Sequence, residues 1–118
     1  MEKNITVRLT ARLFAEEKCY GPGVEQLLKA VEKHRSLRAA AASMSMAYSK
    51  AWSIIRAAEQ GFGCKLLVST IGGSGGGGAT LTDEARQIMA AYDEYCRKLD
   101  EYSGALFREL VPFCAKGE

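Results

Sequence analysis

From residue 4 to residue 14 apolar and polar side chains alternate, with Ile5, Val7, Leu9, Ala11 and Leu13 on one side and Thr6, Arg8, Thr10 and Arg12 on the other. A period of two is that of a half-buried strand. The period changes after Gly21-Pro22-Gly23, where Val24, Leu27, Leu28 and Val31 recur at i, i+3, i+4 and i+7. This is the stripe of an amphipathic helix, expected to end near His34 or Arg35. Ser36 is placed to cap a second, short helix with Leu37, Ala40 and Ala41 inward, and the alanines at 39–42 are small enough to let another helix approach closely. The hydroxyls of Ser43-Met44-Ser45 compete for backbone groups and favour a break, and Ser45 is expected to cap a third helix starting near Met46 or Ala47. In that helix Ala51, Ile55, Ala58 and Phe62 form the inward stripe, with Trp52 and Ile54 beside it. Lys50, Ser53 and Arg56 look outward, and Gly61 or Gly63 ends the helix.

Residues 65–70 and 79–81 read as short strands joined by Ile71 and the glycine-rich run 72–78, a hairpin with a long tip. Thr82 followed by Asp83 and Glu84 is a capping signal with acids in the first helical turn. From there Ala85, Ile88, Met89, Tyr92, Tyr95, Cys96, Leu99, Tyr102, Leu106 and Leu110 step by threes and fours until Pro112. A helix over 85–110 is about 40 Å long at 1.5 Å per residue, more than a chain of this size covers with its own body. Ile88, Tyr92, Tyr95, Leu99, Tyr102 and Leu106 are therefore expected to meet a second copy in a homodimer. The elements predict a mostly α fold with a small antiparallel β-sheet, in which two helices joined by a tight turn are followed by a β-hairpin wing. One winged helix-turn-helix domain is expected over 1–118, divided into a core at 1–82 and a long C-terminal dimerisation helix at 83–111.

At 118 residues, 47% hydrophobic and 25% charged, the chain has the composition of one globular domain. It contains no run approaching the roughly 20 apolar residues of a membrane span and no apolar stretch at its N-terminus, so a cytoplasmic protein with no membrane partner is expected. Cys19, Cys64, Cys96 and Cys114 are scattered, form no CxxC pair and have only His34 as a possible imidazole partner. No metal site is expected, and the cysteines read as reduced thiols that pack as small hydrophobes. A redox or metal sensor built on Cys19 and Cys64 is the open alternative. Net charge is only +2, but it is unevenly divided. Residues 1–70 hold 11 Lys/Arg against 6 Asp/Glu, a balance of +5, and residues 71–118 hold 5 against 8, a balance of −3.

No constellation of residues suggests catalysis. His34 has no nearby Ser, Cys or carboxylate in an enzymatic pattern, and the acids are spread over helix surfaces. The glycine run lacks the Lys-Ser/Thr pair of a phosphate-binding loop, which leaves a wing or a plain flexible connection as its readings. No enzyme and no cofactor are expected. For double-stranded DNA, a helix must present polar side chains to the major groove with cations nearby for phosphates. Ser45, Tyr48, Ser49, Lys50 and Ser53 offer the first and Arg38, Arg56 and Lys65 the second, with the hydroxyls of Ser36 and Ser74 as further DNA-binding candidates, although any solvated helix face carries residues of these types.

Several stretches match a known family in order: Gly21-Pro22-Gly23, the segment Ser36-Leu37-Arg38-Ala39-Ala40-Ala41, the string Met46-Ala47-Tyr48-Ser49-Lys50-Ala51-Trp52, and the glycine run leading into Ala79-Thr80-Leu81-Thr82. Over nearly its whole length the chain resembles the N-terminal winged helix-turn-helix domain of ModE-type, molybdate-responsive transcription regulators, which is related to the LysR-family DNA-binding domain. The resemblance implies that Tyr48, Ser49 and Lys50 face DNA while Ala51 and Trp52 anchor the recognition helix. It implies a dimeric, sequence-specific transcription regulator. Two departures follow: the family's C-terminal molybdate-binding domains have no counterpart in these 118 residues, so molybdate sensing is not carried over, and no Lys or Arg occurs between Lys65 and Arg86, so the wing is left with Ser69, Thr70, Ser74 and backbone amides for phosphate. Two other functions fit the same residues: a sensor whose dimer groove or cysteines release DNA on a signal, and a module that uses the winged-helix fold to bind protein.

Overall fold

The computed structural model describes residues 5–70 and 78–111. In chain order the elements are β1 (Leu13–Phe14), β2 (Lys18–Tyr20), α1 (Pro22–His34), α2 (Leu37–Ser43), α3 (Tyr48–Phe62), β3 (Leu67–Thr70), β4 (Gly78–Leu81) and α4 (Asp83–Leu110). They fall into two compact units, one of Ala11–Met89 and one of the described residues of Met1–Thr10 with those of Ala90–Glu118. This is a winged helix-turn-helix, mostly α with two small antiparallel sheets.

In the larger unit, α1 starts with Pro22 in its first turn, where a fixed φ helps and a missing N–H costs nothing. It stops at Arg35, which adopts a left-handed φ of 59° and returns its N–H to the Val31 carbonyl. Val24, Leu27, Leu28 and Val31 are all buried, each contributing about 1.5–3 kcal/mol relative to exposure. Beneath them the Tyr20 hydroxyl donates to Glu25 Oε1 at 2.5 Å, and Lys29 Nζ lies 3.7 Å from the other carboxylate oxygen. A buried carboxylate is tolerated because it has these partners. Ala40 and Ala41 of α2 and Ala51, Ile55 and Ala58 of α3 complete the helical core. Gly61 allows α3 to approach β2: a Cβ there would sit 2.6 Å from both Cβ and Sγ of the buried Cys19.

Two expectations change. Within residues 5–14 only Leu13–Phe14 forms a strand, pairing with β2 through an irregular register, while Ile5, Val7 and Leu9 are exposed. A strand exists only where a neighbour satisfies its backbone, and β2 offers three residues. Phe62 does not complete the inward stripe of α3; it keeps 37% of its surface exposed and meets Tyr20 edge-on, with ring centroids 5.7 Å apart.

Strands β3 and β4 pair in register from Leu67 with Leu81 to Thr70 with Gly78. Thr82 closes the base of this hairpin and opens α4 at once. Its N–H donates to the Leu66 carbonyl, its hydroxyl donates to the Lys65 carbonyl, and its Oγ1 accepts from the Ala85 N–H. The hairpin tip at 71–77 with Ser74, the helix-ending Pro112, and Cys114 lie outside the described residues.

In the second unit α4 carries Arg97, whose guanidinium bonds Glu94 and Glu101 at 2.7 Å each and holds the Glu94 carboxyl below the usual carboxylate range. Tyr92 is buried, Leu99 is half-buried, and Tyr95, Tyr102, Leu106 and Leu110 are exposed, Tyr102 by 69%. Among the described residues no helix is long and apolar enough to cross a membrane.

Candidate nucleic-acid interface

The turn between α2 and α3 is built by backbone hydrogen bonds. Met44 is the C-cap of α2, Ser45 follows in a left-handed conformation at φ 54°, and the N–H groups of Ser45 and Met46 donate to the Ala42 and Ala41 carbonyls at 3.0 and 2.9 Å. This is a Schellman motif, which turns the chain sharply within a few residues. Ser45 therefore ends α2 and does not cap α3, contrary to the expectation from sequence. A residue held at positive φ does not have the extended backbone from which a side chain caps the next helix. The N-cap of α3 is Ala47, extended at φ −65° and ψ 145°, and no side chain caps this end. Ser36, in contrast, caps α2 as expected, its Oγ accepting from the Ala39 N–H at 3.0 Å.

Ala51, Ile55 and Ala58 hold α3 against the core, which turns Ser49, Lys50, Ser53 and Arg56 to solvent on its opposite face. Tyr48 and Trp52 lie at the border of that face, both half-buried. They engage each other, the Trp52 indole N–H donating to the Tyr48 hydroxyl at 2.8 Å across one helical turn. The Arg38 guanidinium lies 4.1 Å from the centroid of the Tyr48 ring, and that of Arg56 lies 5.9 Å from the Trp52 ring. Trp52 is thus half-buried at the edge of α3, beside the fully buried Ala51.

Between α3 and the hairpin runs a cleft of about 310 Å³, lined by Ser36 and Arg38 from the start of α2, Tyr48, Trp52 and Glu59 from α3, and Lys65, Ser69 and Gly78 from the hairpin. Four residues expected at the interface, Ser36, Arg38, Tyr48 and Lys65, are brought together here. Ser49, Lys50, Ser53 and Arg56 form the adjoining helix face, and Ser45 stands on the turn before it. Ser74 lies outside the described residues.

Two positions in this region were not singled out from sequence. Glu59 Oε2 accepts the Leu66 N–H at 2.9 Å, and its Oε1 lies 4.0 Å from Lys65 Nζ, so the end of α3 holds the start of the hairpin. Its signal was present: Glu59 is the sole acid between Glu32 and Asp83, a span with six Lys/Arg. Gly78 is the other. The neighbouring Ala79 N–H donates to the Arg35 carbonyl at 3.1 Å, bringing β4 against the C-cap of α1. A Cβ at Gly78 would lie 3.0 Å from that carbonyl oxygen and 2.5 Å from Thr70 Oγ1.

The family of bacterial regulatory helix-turn-helix proteins of LysR type matches residues 26–86, which run from α1 through the turn, α3 and the hairpin into α4. The chain is 38% identical over 84 residues to the molybdenum transport protein ModE of Azotobacter vinelandii, covering 70% of this chain and 30% of that protein. It is 30% identical over 108 residues to the transcriptional regulator ModE of Haemophilus influenzae, covering 92% and 40%. With the DNA-binding transcriptional dual regulator ModE of Escherichia coli K12 the identity is 32% over 89 residues, covering 75% and 32%. The matched part thus spans 30% to 40% of the length of these relatives.

Proposed function

Because the chain belongs to the bacterial regulatory helix-turn-helix family of LysR type, we propose that it is a sequence-specific regulator of transcription that binds double-stranded DNA as a homodimer in the cytoplasm. The observation that carries this is the outer face of α3, where Ser49, Lys50, Ser53 and Arg56 are exposed side by side behind a tight turn and beside a hairpin. A helix of this kind enters the major groove with its N-terminal side chains toward base edges. Lys50 suits the O6 and N7 acceptors of guanine, and the serine hydroxyls donate to or accept from any base. Arg38, Arg56 and Lys65 position the protein by neutralising phosphates, helped by the low density of acids around them. Bound at a promoter, the dimer blocks or assists RNA polymerase.

For the dimer, the support is the stepped apolar positions of α4. Tyr95, Tyr102 and Leu106 are exposed and Leu99 and Ile88 half-buried, whereas Tyr92 spends most of its surface within the chain. Two copies related by a dyad would offer their α3 helices to half-sites about one helical turn, roughly 10 base pairs, apart. The molybdenum role in the relatives' names belongs to proteins of which this chain covers a minor part, so the proposal stops at DNA.

Selection of bound duplexes from a random-sequence pool tests it. Enrichment of an inverted repeat with that spacing is expected, and a substitution Lys50→Ala should relax the preference at one position of each half-site. No enrichment, or enrichment of a single unrepeated site, would count against the reading.

A further inference from the structure

Tyr48 stands in the first turn of α3, where a base-reading side chain is expected, yet one face of its ring and an acceptor site of its hydroxyl are engaged inside the chain. Its hydroxyl accepts from Trp52, and the Arg38 guanidinium covers its ring at 4.1 Å. That distance is well within the roughly 6 Å reach of a cation–π contact. Arg38 sits on the exposed side of α2, so without the ring its long side chain would sample many rotamers. Stacking occupies the face of a guanidinium and leaves its N–H donors, which lie in the plane, directed outward.

We propose that Tyr48 is a positioning residue, which holds Arg38 at the cleft between α3 and the hairpin so that the guanidinium meets one phosphate of the DNA backbone. The proposal rests on the DNA-binding reading above and refines which residue does what within it. The partner is a phosphate because of the cleft's chemistry. Arg38 and Lys65 supply two cations against the one carboxylate of Glu59, which lies at the Lys65 side of the cleft, Ser36 and Ser69 supply hydroxyls, and among the described residues no side chain with the paired donor and acceptor of an amide lines it. Arg38 also belongs to the helix before α3, the one that crosses the backbone in helix-turn-helix complexes. Base reading then falls to Ser49, Lys50 and Ser53.

The test measures affinity against salt on the selected duplex and on a scrambled one of equal length, for the full chain and for Tyr48→Phe, Tyr48→Leu, Arg38→Ala and Tyr48→Leu/Arg38→Ala. Tyr48→Leu should weaken both duplexes equally, by roughly 2- to 5-fold per half-site, the size of an exposed cation–π contact. Tyr48→Phe keeps the ring and should bind within about 2-fold of the parent chain by the same reasoning. Arg38→Ala should lower the slope of log affinity against log salt by about 0.9 per half-site, and Tyr48→Leu should then add nothing. Should Tyr48→Leu fail to fold, Arg38→Lys asks the same question from an exposed position: it keeps the charge but not the planar stack, and should recover less than half of the free energy that Arg38→Ala loses. A changed preference between the two duplexes in Tyr48→Leu, an undiminished Tyr48→Leu effect on top of Arg38→Ala, or full recovery by Arg38→Lys overturns the proposal. A parent chain with no salt-sensitive DNA affinity is a different result, and overturns the DNA-binding reading itself.

Discussion

Ala47 begins the recognition helix without a side-chain cap, although its φ of −65° and ψ of 145° are those from which a Ser or Asp would accept a backbone N–H of the first turn. Ala47→Ser should therefore stabilise the protein by about 1 kcal/mol, and Ala47→Asp by a further ~0.3–1 kcal/mol through the helix dipole. A gain of 1 kcal/mol raises Tm by about 4 °C in a chain of 118 residues. If this end of α3 lies against DNA, the two variants part company when DNA is added. A carboxylate about 6 Å from a phosphate is repelled by about 0.7 kcal/mol in water. That is roughly 3-fold in affinity per half-site and roughly 10-fold for a dimer. Thermal unfolding followed by circular dichroism measures the first effect, and fluorescence anisotropy with a labelled duplex measures the second. Ala47→Ser should gain stability and keep its affinity, while Ala47→Asp gains more stability and loses affinity. An Ala47→Asp protein that is more stable and binds DNA as tightly as the parent would refute the placement of α3 against phosphates. Unchanged Tm in both variants would refute the cap geometry.

Substitutions at three further positions, Ser45, Gly78 and Glu59, follow from the same region. Ser45→Gly relieves a left-handed conformation at the end of α2 and should leave stability unchanged or raise it by up to about 1 kcal/mol in chemical denaturation, whereas Ser45→Val should lower it. Gly78→Ala forces a Cβ against Thr70 Oγ1 and the Arg35 carbonyl and should cost about 1–3 kcal/mol, with partial recovery in Gly78→Ala/Thr70→Ala because only the backbone clash then remains. Glu59→Gln retains an oxygen for the Leu66 N–H and should cost less than Glu59→Ala, which strands that donor at about 1–3 kcal/mol; both should bind DNA more tightly in anisotropy titrations because an acid is removed beside Lys65.

Much of the helical architecture was legible because it is written in local periodicity. The stripe from Val24 to Val31, the Ser36 cap, the inward alanines of α2 and α3, and the Thr82 start of α4 all appear where spacing and capping chemistry put them. The turn was not, because the serine at position 45 satisfies the composition of an N-cap while the geometry of two helices meeting at close quarters demands a left-handed residue there. Alternation from Ile5 to Leu13 misled for a different reason: it records which side chains share a face but not whether a neighbouring strand exists. At the site, the outward residues of α3 follow from the inward ones. The stack of Arg38 on Tyr48, the reach of Glu59 to Leu66 and the need for Gly78 depend on residues that meet only after folding. Sequence spacing marks none of these pairs.

Sequence recognition by α3 is tested most directly by the affinity of this chain for the DNA upstream of its own gene, titrated at two salt concentrations against a scrambled competitor, with Lys50→Ala alongside. Base reading by α3 predicts preferential binding that weakens as salt rises, and a Lys50→Ala protein that stays folded but relaxes that preference at one position of each half-site. Equal affinity for both duplexes at low salt, or an undiminished preference in Lys50→Ala, would contradict it.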